Sequence, residues 1–382
     1  MSFDFIKSKL GEQKRLSRFR HRVEIEAQDG NHIVVDGKPY INFSSNDYLG
    51  LAQHAEIKSK FIEGVEKFGN SASSSSLVTG THYAHRALED KICDWLNKEH
   101  CLLFSSGFAA NTGFLNAFGK ENTHFILDKL SHASIIDGAY LSDAKVKRFP
   151  HNNMEKAQAL IDGSPDLDKI LISEGIFSMD GDSANIEALS AISKTSDSLF
   201  YCDDAHAIGI LGKSGEGSIS KSSIDVVMAT FGKALAGSGA FIASNNEIGQ
   251  YLENFCRHYI YSTAITPANA WASIKAIEIT QAENWRREKI NALTQELSST
   301  LDPSIKTIKS ESSIQAIVIG DEQQTINISE KLKQNGFWVT AIRPPTVPNN
   351  SSRLRVTINS LHKESEIKRL AECINSAINE VL

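Results

Sequence analysis

Short apolar runs at 101–104, 125–127, 170–172, 199–202 and 226–229 recur with helical stretches between them, at the spacing of βαβ units. Runs this uniformly apolar suit strands covered on both faces, so this part of the chain is expected to build a mostly parallel sheet between helices. In such sheets ligands collect beyond the carboxyl ends of the strands. Any chemistry should therefore reside in the residues that follow each run.

The flanking regions read differently. Phe3, Ile6, Leu10 and Leu16 among many charges suit an amphipathic helix over 3–22. Two short strands, 32–35 and 40–43, are joined by the turn Asp36-Gly37-Lys38 and lead into a polar loop at 44–51. The serine tract at 70–79 is read as an ordered loop of small residues, and 83–97 as a helix. His82 and His85 lack a third ligand nearby, so they are read as capping or packing histidines. After Pro267 helical stretches reach to about Leu301, then come strands at 314–319, 338–342 and 354–358 and a helix at 364–381. The expected division is 1–45 for an N-terminal helix and small strands, 46–285 for a large cofactor-binding domain and 286–382 for a small α+β domain.

Composition narrows the class. With 382 residues, 41% hydrophobic and 23% charged, the chain has ample length for a large core. A formal charge of −6 and no basic stripe speak against a nucleic-acid partner. Cys93, Cys101, Cys202, Cys256 and Cys373 are odd in number and widely spaced, which fits a reducing compartment better than a disulfide framework or a zinc site. No apolar run reaches membrane-span length, and Asp4 precedes any apolar stretch where a signal peptide would carry a basic start. A cytoplasmic enzyme without nucleic-acid or membrane partners is the expectation.

The residues after the runs carry candidate chemistry. Thr230-Phe231-Gly232-Lys233 places a lysine among small residues after the run at 226–229. An amine in a partly desolvated pocket loses proton affinity and becomes a nucleophile for a carbonyl. A Walker phosphate loop is a poorer reading, since Ala234 follows the lysine and the upstream glycines are missing. Gly107 and Phe108 open a helix whose N–H groups suit a phosphate, with the aromatic beside a ring, or else form an ordinary helix start with a core phenylalanine. His132 follows the run at 125–127 and either stacks on a planar group or caps the next helix. Asp203, at the end of the run at 199–202, suits a protonated ring nitrogen, and His206 a neighbouring ring oxygen. Taken alone, Asp203, Asp204 and His206 equally suit a metal hydrolase. With Lys233 and His132 the ordered set describes one cofactor site and no metal.

Over residues 20–362 the chain resembles the fold-type-I pyridoxal 5′-phosphate enzymes of the α-oxoamine synthase family. The motifs are residues 42–50 (Asn42 to Gly50), 130–134 (Leu130 to Ser134), 177–182 (Phe177 to Asp182), 230–233 and 341–348 (Ala341 to Pro348). The last sets it apart from the glycine acetyltransferase and 5-aminolevulinate branches. The resemblance implies a homodimeric acyltransferase that joins L-alanine to a pimeloyl thioester of coenzyme A or acyl carrier protein, with loss of CO₂, in biotin synthesis. It implies a Schiff base on Lys233, a ring-nitrogen contact at Asp203, a ring-oxygen contact at His206 and stacking by His132. Gly107, Phe108, Ser178 and Thr230 would contact the cofactor, with Ser262 and Thr263 reaching it across a dimer interface. Arg355 would anchor the amino-acid carboxylate, and Arg20, Asn46, His132, Arg343 and Thr346 would meet substrate. In one departure from the family, Ser73 to Ser76 stand where glycines are usual. If substrate approach depends on those glycines, acyl preference differs here. The competing readings are a sister synthase with another amino acid or acyl chain and the metal hydrolase.

Overall fold

The computed structural model describes residues 3–164 and 167–381, and the chain divides into two units. One comprises Met1–Ser45, Met179–Asp182 and Glu288–Leu382; the other comprises Asn46–Ser178 and Ser183–Arg287.

The first unit begins with a helix at Asp4–Arg15, shorter than the expected 3–22. Its apolar side is exposed, so no packing extends it, and Ser17 takes a positive φ of 55° just beyond. Strands β1 (Ala27–Asp29), β2 (His32–Val35) and β3 (Lys38–Asn42) follow as an antiparallel meander. The β2–β3 turn has φ of 50° at Asp36 and 67° at Gly37, the left-handed pair that a two-residue hairpin matching strand twist requires.

The second unit holds the apolar runs as a seven-stranded sheet. Its strands are β4 (His100–Phe104), β5 (Thr123–Asp128), β6 (Lys145–Phe149), β7 (Asp168–Glu174), β8 (Leu199–Asp203), β9 (Val226–Thr230) and β10 (Ala240–Ser244). The order is β4-β10-β9-β8-β7-β5-β6. Pairs from β6 through β9 are parallel, whereas β10 runs antiparallel to both its neighbours. Two strands of this sheet were missed in the sequence, as was β1 in the other unit. In β6, Lys-Val-Lys-Arg-Phe reads as a solvated segment, because charged residues protect the edge it forms. The run of β10 is separated from β9 only by the glycine-rich lysine loop. Phe114, Phe125, Leu127, Ile172, Tyr201 and Met228 belong to the apolar core between this sheet and its helices. Helix Tyr83–Leu96 is closed at its start by His82 and His85: the His85 ring Nδ1 accepts from the His82 N–H at 2.9 Å, in keeping with the capping reading.

The chain returns to the first unit within helix Trp285–Thr300. There β11 (Ile314–Gly320), β12 (Phe337–Trp338), β13 (Thr340–Ile342) and β14 (Ser352–Thr357) complete two small sheets, β1-β2-β3-β12 and β11-β14-β13. The expected single strand at 338–342 is thus two, because β12 pairs with β3 and β13 with β14. In β14, Leu354 and Val356, followed by Ile358, enter the core of this unit together with Phe43, Phe337 and Ile374. Central placement explains why Arg353 and Arg355 are buried, at 5% and 8% exposure. Arg353 pairs with Asp180, and the Gly181 carbonyl accepts from Ser310 Oγ at 2.7 Å and Ser312 Oγ at 2.9 Å. A Cβ at Gly181, where φ is 78°, would sit 2.1 Å from the Ile314 carbonyl oxygen. The carboxylate-rich segment 179–182 is therefore packing.

His362 ties the ends of this unit together. Its ring stacks on Phe43 at 4.0 Å, Nε2 lies 3.2 Å from the Asn42 carbonyl oxygen and Nδ1 accepts from the Asn359 N–H at 3.0 Å. Burial pushes its pKa down to about 3. The unfolded chain takes up a proton below its ordinary value of 6.5, which the folded unit refuses. Stability is thus complete above pH 6.5 and falls towards pH 3, a loss on the order of 4 kcal/mol from this group. Denaturant titrations across that range should show this slope, and His362→Gln should flatten it.

Candidate active site

Lys233 stands in the loop between β9 and β10. The loop closes on itself: the Phe231 N–H donates to the Gly239 carbonyl at 3.0 Å and the Gly237 N–H to the Phe231 carbonyl at 2.8 Å. Phe231, Ala234 and Leu235 are buried and fix the loop, leaving Lys233 half-buried between them. Its Nζ lies 2.9 Å from His206 Nε2, and His206 Nδ1 lies 2.6 Å from the Tyr48 hydroxyl. Tyr48 in turn lies 3.2 Å from Asn46 Oδ1.

Gly107, Phe108, His132, Asp203, His206, Thr230 and Lys233, seven of the expected residues, line one cleft of about 240 Å³. They follow or end β4, β5, β8 and β9, as the strand-end rule requires. Of the two readings left open for His132, stacking on a planar group or capping the next helix, the cap is seen. His132 caps helix Ala133–Tyr140 through Nδ1, which accepts from the Ser134 N–H at 3.2 Å, and it lines the cleft. Burial lowers its pKa, opposed by the Asp203 carboxylate.

Asp203 is held on both oxygens. Oδ1 accepts from the Ala205 N–H at 2.9 Å and Oδ2 from Asn111 Nδ2 at 2.8 Å. Asn111 also donates to Ser134 Oγ at 2.9 Å, and its Oδ1 accepts from the buried Tyr201 hydroxyl at 2.5 Å. Ser134 Oγ lies 2.8 Å from His132 Nδ1, so one network connects the carboxylate to the imidazole. Sequence reasoning missed Asn111, Ser134 and Tyr201. The available signal was spacing: Asn111 lies one helical turn after Gly107, hence on the same face of that helix. Glu174, at the end of β7, also lines the cleft and was missed.

The metal reading of Asp203, Asp204 and His206 fails on geometry. Asp204 is fully buried, its Oδ2 accepts from the Ser218 N–H at 2.7 Å, and Cys202 Sγ donates to Oδ1 at 3.4 Å. Burial pushes its pKa up to about 6. Among the described residues no group of three or more His, Cys, Asp or Glu side chains is arranged to hold a metal ion.

Other expected residues lie elsewhere. Ser178 and Ser262 are half-buried, and Thr263 is exposed and pairs its backbone with Ser75. Together with the Ala264 N–H on the Ser74 carbonyl at 3.0 Å, this bridge orders the serine tract. Arg20, Arg343, Thr346 and Arg355 belong to the first unit. There an Arg20 guanidinium N–H donates to Thr346 Oγ1 at 3.0 Å, Arg343 donates to the Ser17 carbonyl and Arg355 to Thr357 Oγ1 at 3.2 Å.

The family model for class I and II aminotransferases matches residues 38–374. An 8-amino-7-oxononanoate synthase of Photobacterium profundum is 41% identical over 98% of this chain and 97% of its own. One from Klebsiella pneumoniae is 38% identical over 97% of each. The chain belongs to the class I and II aminotransferase family. Among solved structures, SPT with its PLP internal aldimine has a TM-score of 0.92 at 25% identity, covering 99% of this chain and 98% of that one. An 8-amino-7-oxononanoate synthase of Francisella tularensis has a TM-score of 0.78 at 26% identity, covering 89% and 98%. The fold is therefore that of the fold-type-I enzymes, and the chain is a pyridoxal-phosphate-dependent acyltransferase of this family. Among the described residues no helix is long and apolar enough to cross a membrane.

The cleft fits that cofactor. Thr230 Oγ1 and Glu174 Oε1 are buried without a protein partner, a cost that a polar ligand relieves. Gly107 lets the helix start pack closely on Thr230, since a Cβ there would lie 2.7 Å from Thr230 Cγ2. Gly107→Ala should therefore push Thr230 aside, weaken cofactor binding by about tenfold, read by absorbance titration of the apoprotein, and lower the apoprotein's stability by about 1–3 kcal/mol in a denaturant titration.

Proposed function

We propose that this enzyme condenses L-alanine with a pimeloyl thioester, carried by acyl carrier protein or coenzyme A, to give 8-amino-7-oxononanoate, CO₂ and the free thiol, as a step of biotin synthesis. One observation carries the reading: Lys233, Asp203, His206 and His132 converge on one cleft in a chain whose relatives of nearly equal length are named for that product. When bound, pyridoxal phosphate supplies an aldehyde that condenses with amines and a ring that accepts the electron pair released at a substrate carbon.

The protein's part follows from its groups. Lys233 Nζ would hold the cofactor through its aldehyde, and as a free amine it would take the alanine Cα proton as base and return one as acid. His206 Nε2, 2.9 Å away, orients that amine and offers a partner for the ring oxygen. The Asp203 carboxylate, its two oxygens already fixed, would pair with the ring nitrogen and favour its protonated, electron-accepting form. His132 would lie against the ring. Across the reaction the alanine Cα gains a bond to the acyl carbon, the C–S bond breaks, and the bond from Cα to the carboxyl group breaks as CO₂ leaves. The assignments of Gly107, Phe108, Ser178, Thr230, Ser262 and Thr263 to the cofactor and of Arg20, Asn46, His132, Arg343, Thr346 and Arg355 to substrate rest on the family motifs, as does the homodimer.

Borohydride reduction of the yellow protein followed by peptide mapping should place the label on Lys233, and Lys233→Ala should lose activity by at least ~10³-fold. A panel of alanine, glycine and serine against thioesters of several lengths tests the substrates. Preference for serine, or for a long acyl chain, would replace this reading with the sister synthase.

A further inference from the structure

Glu174 ends β7 directly beside Asp203, which ends β8; the two are register partners in a parallel pair, and both line the cleft. Its side chain is 2% exposed. The His132 amide N–H donates to its carboxyl group, while Oε1 is buried with no protein partner. A leucine would fill this position without that cost, so a polar group here implies a task. Asp203 takes two fixed donors, from Ala205 and Asn111. Two adjacent buried carboxyl groups do not readily ionise together, and Glu174 has the fewer donors. Removed from solvent and with a single donor, Glu174 is the one that retains its proton.

We propose that Glu174 serves as a neutral carboxylic acid that offers an O–H donor to the group bound in the cleft, leaving the carboxylate charge there to Asp203. The groups facing it from neighbouring elements agree. Asp203 on β8 and Asp128 on β5 favour the protonated form, and the Lys233 cation opposes them. Burial is the largest influence, and the balance lies well above the ordinary carboxyl range. The role differs from that of Asp203 although the residues are chemical siblings. An anion at position 174 would compete for the charged ring, whereas a neutral donor adds a contact and leaves that pairing intact. This rests on the cleft being the cofactor site, which labelling at Lys233 tests separately.

Two readouts independent of turnover decide it. Infrared difference spectra of wild type against Glu174→Gln at neutral pH should contain a carboxylic-acid C=O band that the variant lacks. Absorbance titration of the apoproteins with pyridoxal phosphate should leave Glu174→Gln within about threefold of wild type, because its amide keeps a neutral donor. Glu174→Leu, of similar size but with no donor, should bind roughly tenfold more weakly. Absence of the band, equal weakening by glutamine and leucine, or full affinity in Glu174→Leu each overturns the proposal. Should Glu174→Leu fail to fold, the band and the Glu174→Gln affinity decide it. A cofactor label on Lys233 in the same preparations separates these failures from failure of the site itself.

Discussion

The site depends on one buried amide. Asn111 donates to Asp203 and to Ser134, and the Tyr201 hydroxyl donates to its carbonyl oxygen, which fixes the orientation of the amide. A carboxylate with both oxygens occupied cannot rotate easily. Because Ser134 continues to His132, the same amide sets the imidazole as well. The helix after β4, the turn after β5 and the end of β8 are thereby locked at one edge of the sheet.

That edge exists because the strands are parallel. Apolar runs covered on both faces leave polar side chains few places except strand ends. β10 breaks the parallel pattern, and its reversal lets β9 feed a tight loop that presents Lys233 at the same edge. The lysine is thus held by closure of its own loop and by apolar neighbours, with the imidazole of His206 beside its amine.

Much of this was legible beforehand. The five apolar runs became five strands within a residue or two, and the terminal helix at Glu364–Val381 matches its periodicity. Strand-end residues were findable because their types are out of place in an apolar setting, Lys233 and Asp203 above all. Asn111 and Ser134 escaped notice, since amides and hydroxyls near helix starts are ordinary caps unless a third partner makes them a network. Glu174 escaped because nothing local distinguishes a buried neutral acid from an exposed charged one. The edge strand β6 and the early end of the first helix were hidden for a related reason: charge there reflects exposure, which only the assembled sheet defines.

The chain passes from one unit to the other at Ser45, at Ser178, after Asp182 and at Arg287. A gene fragment spanning 46–287 would therefore carry a four-residue excursion stripped of the Ser310 and Ser312 hydroxyls, the Arg353 guanidinium and the Ile314 backbone that surround it. Neither half is a contiguous module. Recombination with a relative at those outer borders would transplant a tether cut for another host, so the units are bound to evolve as a pair.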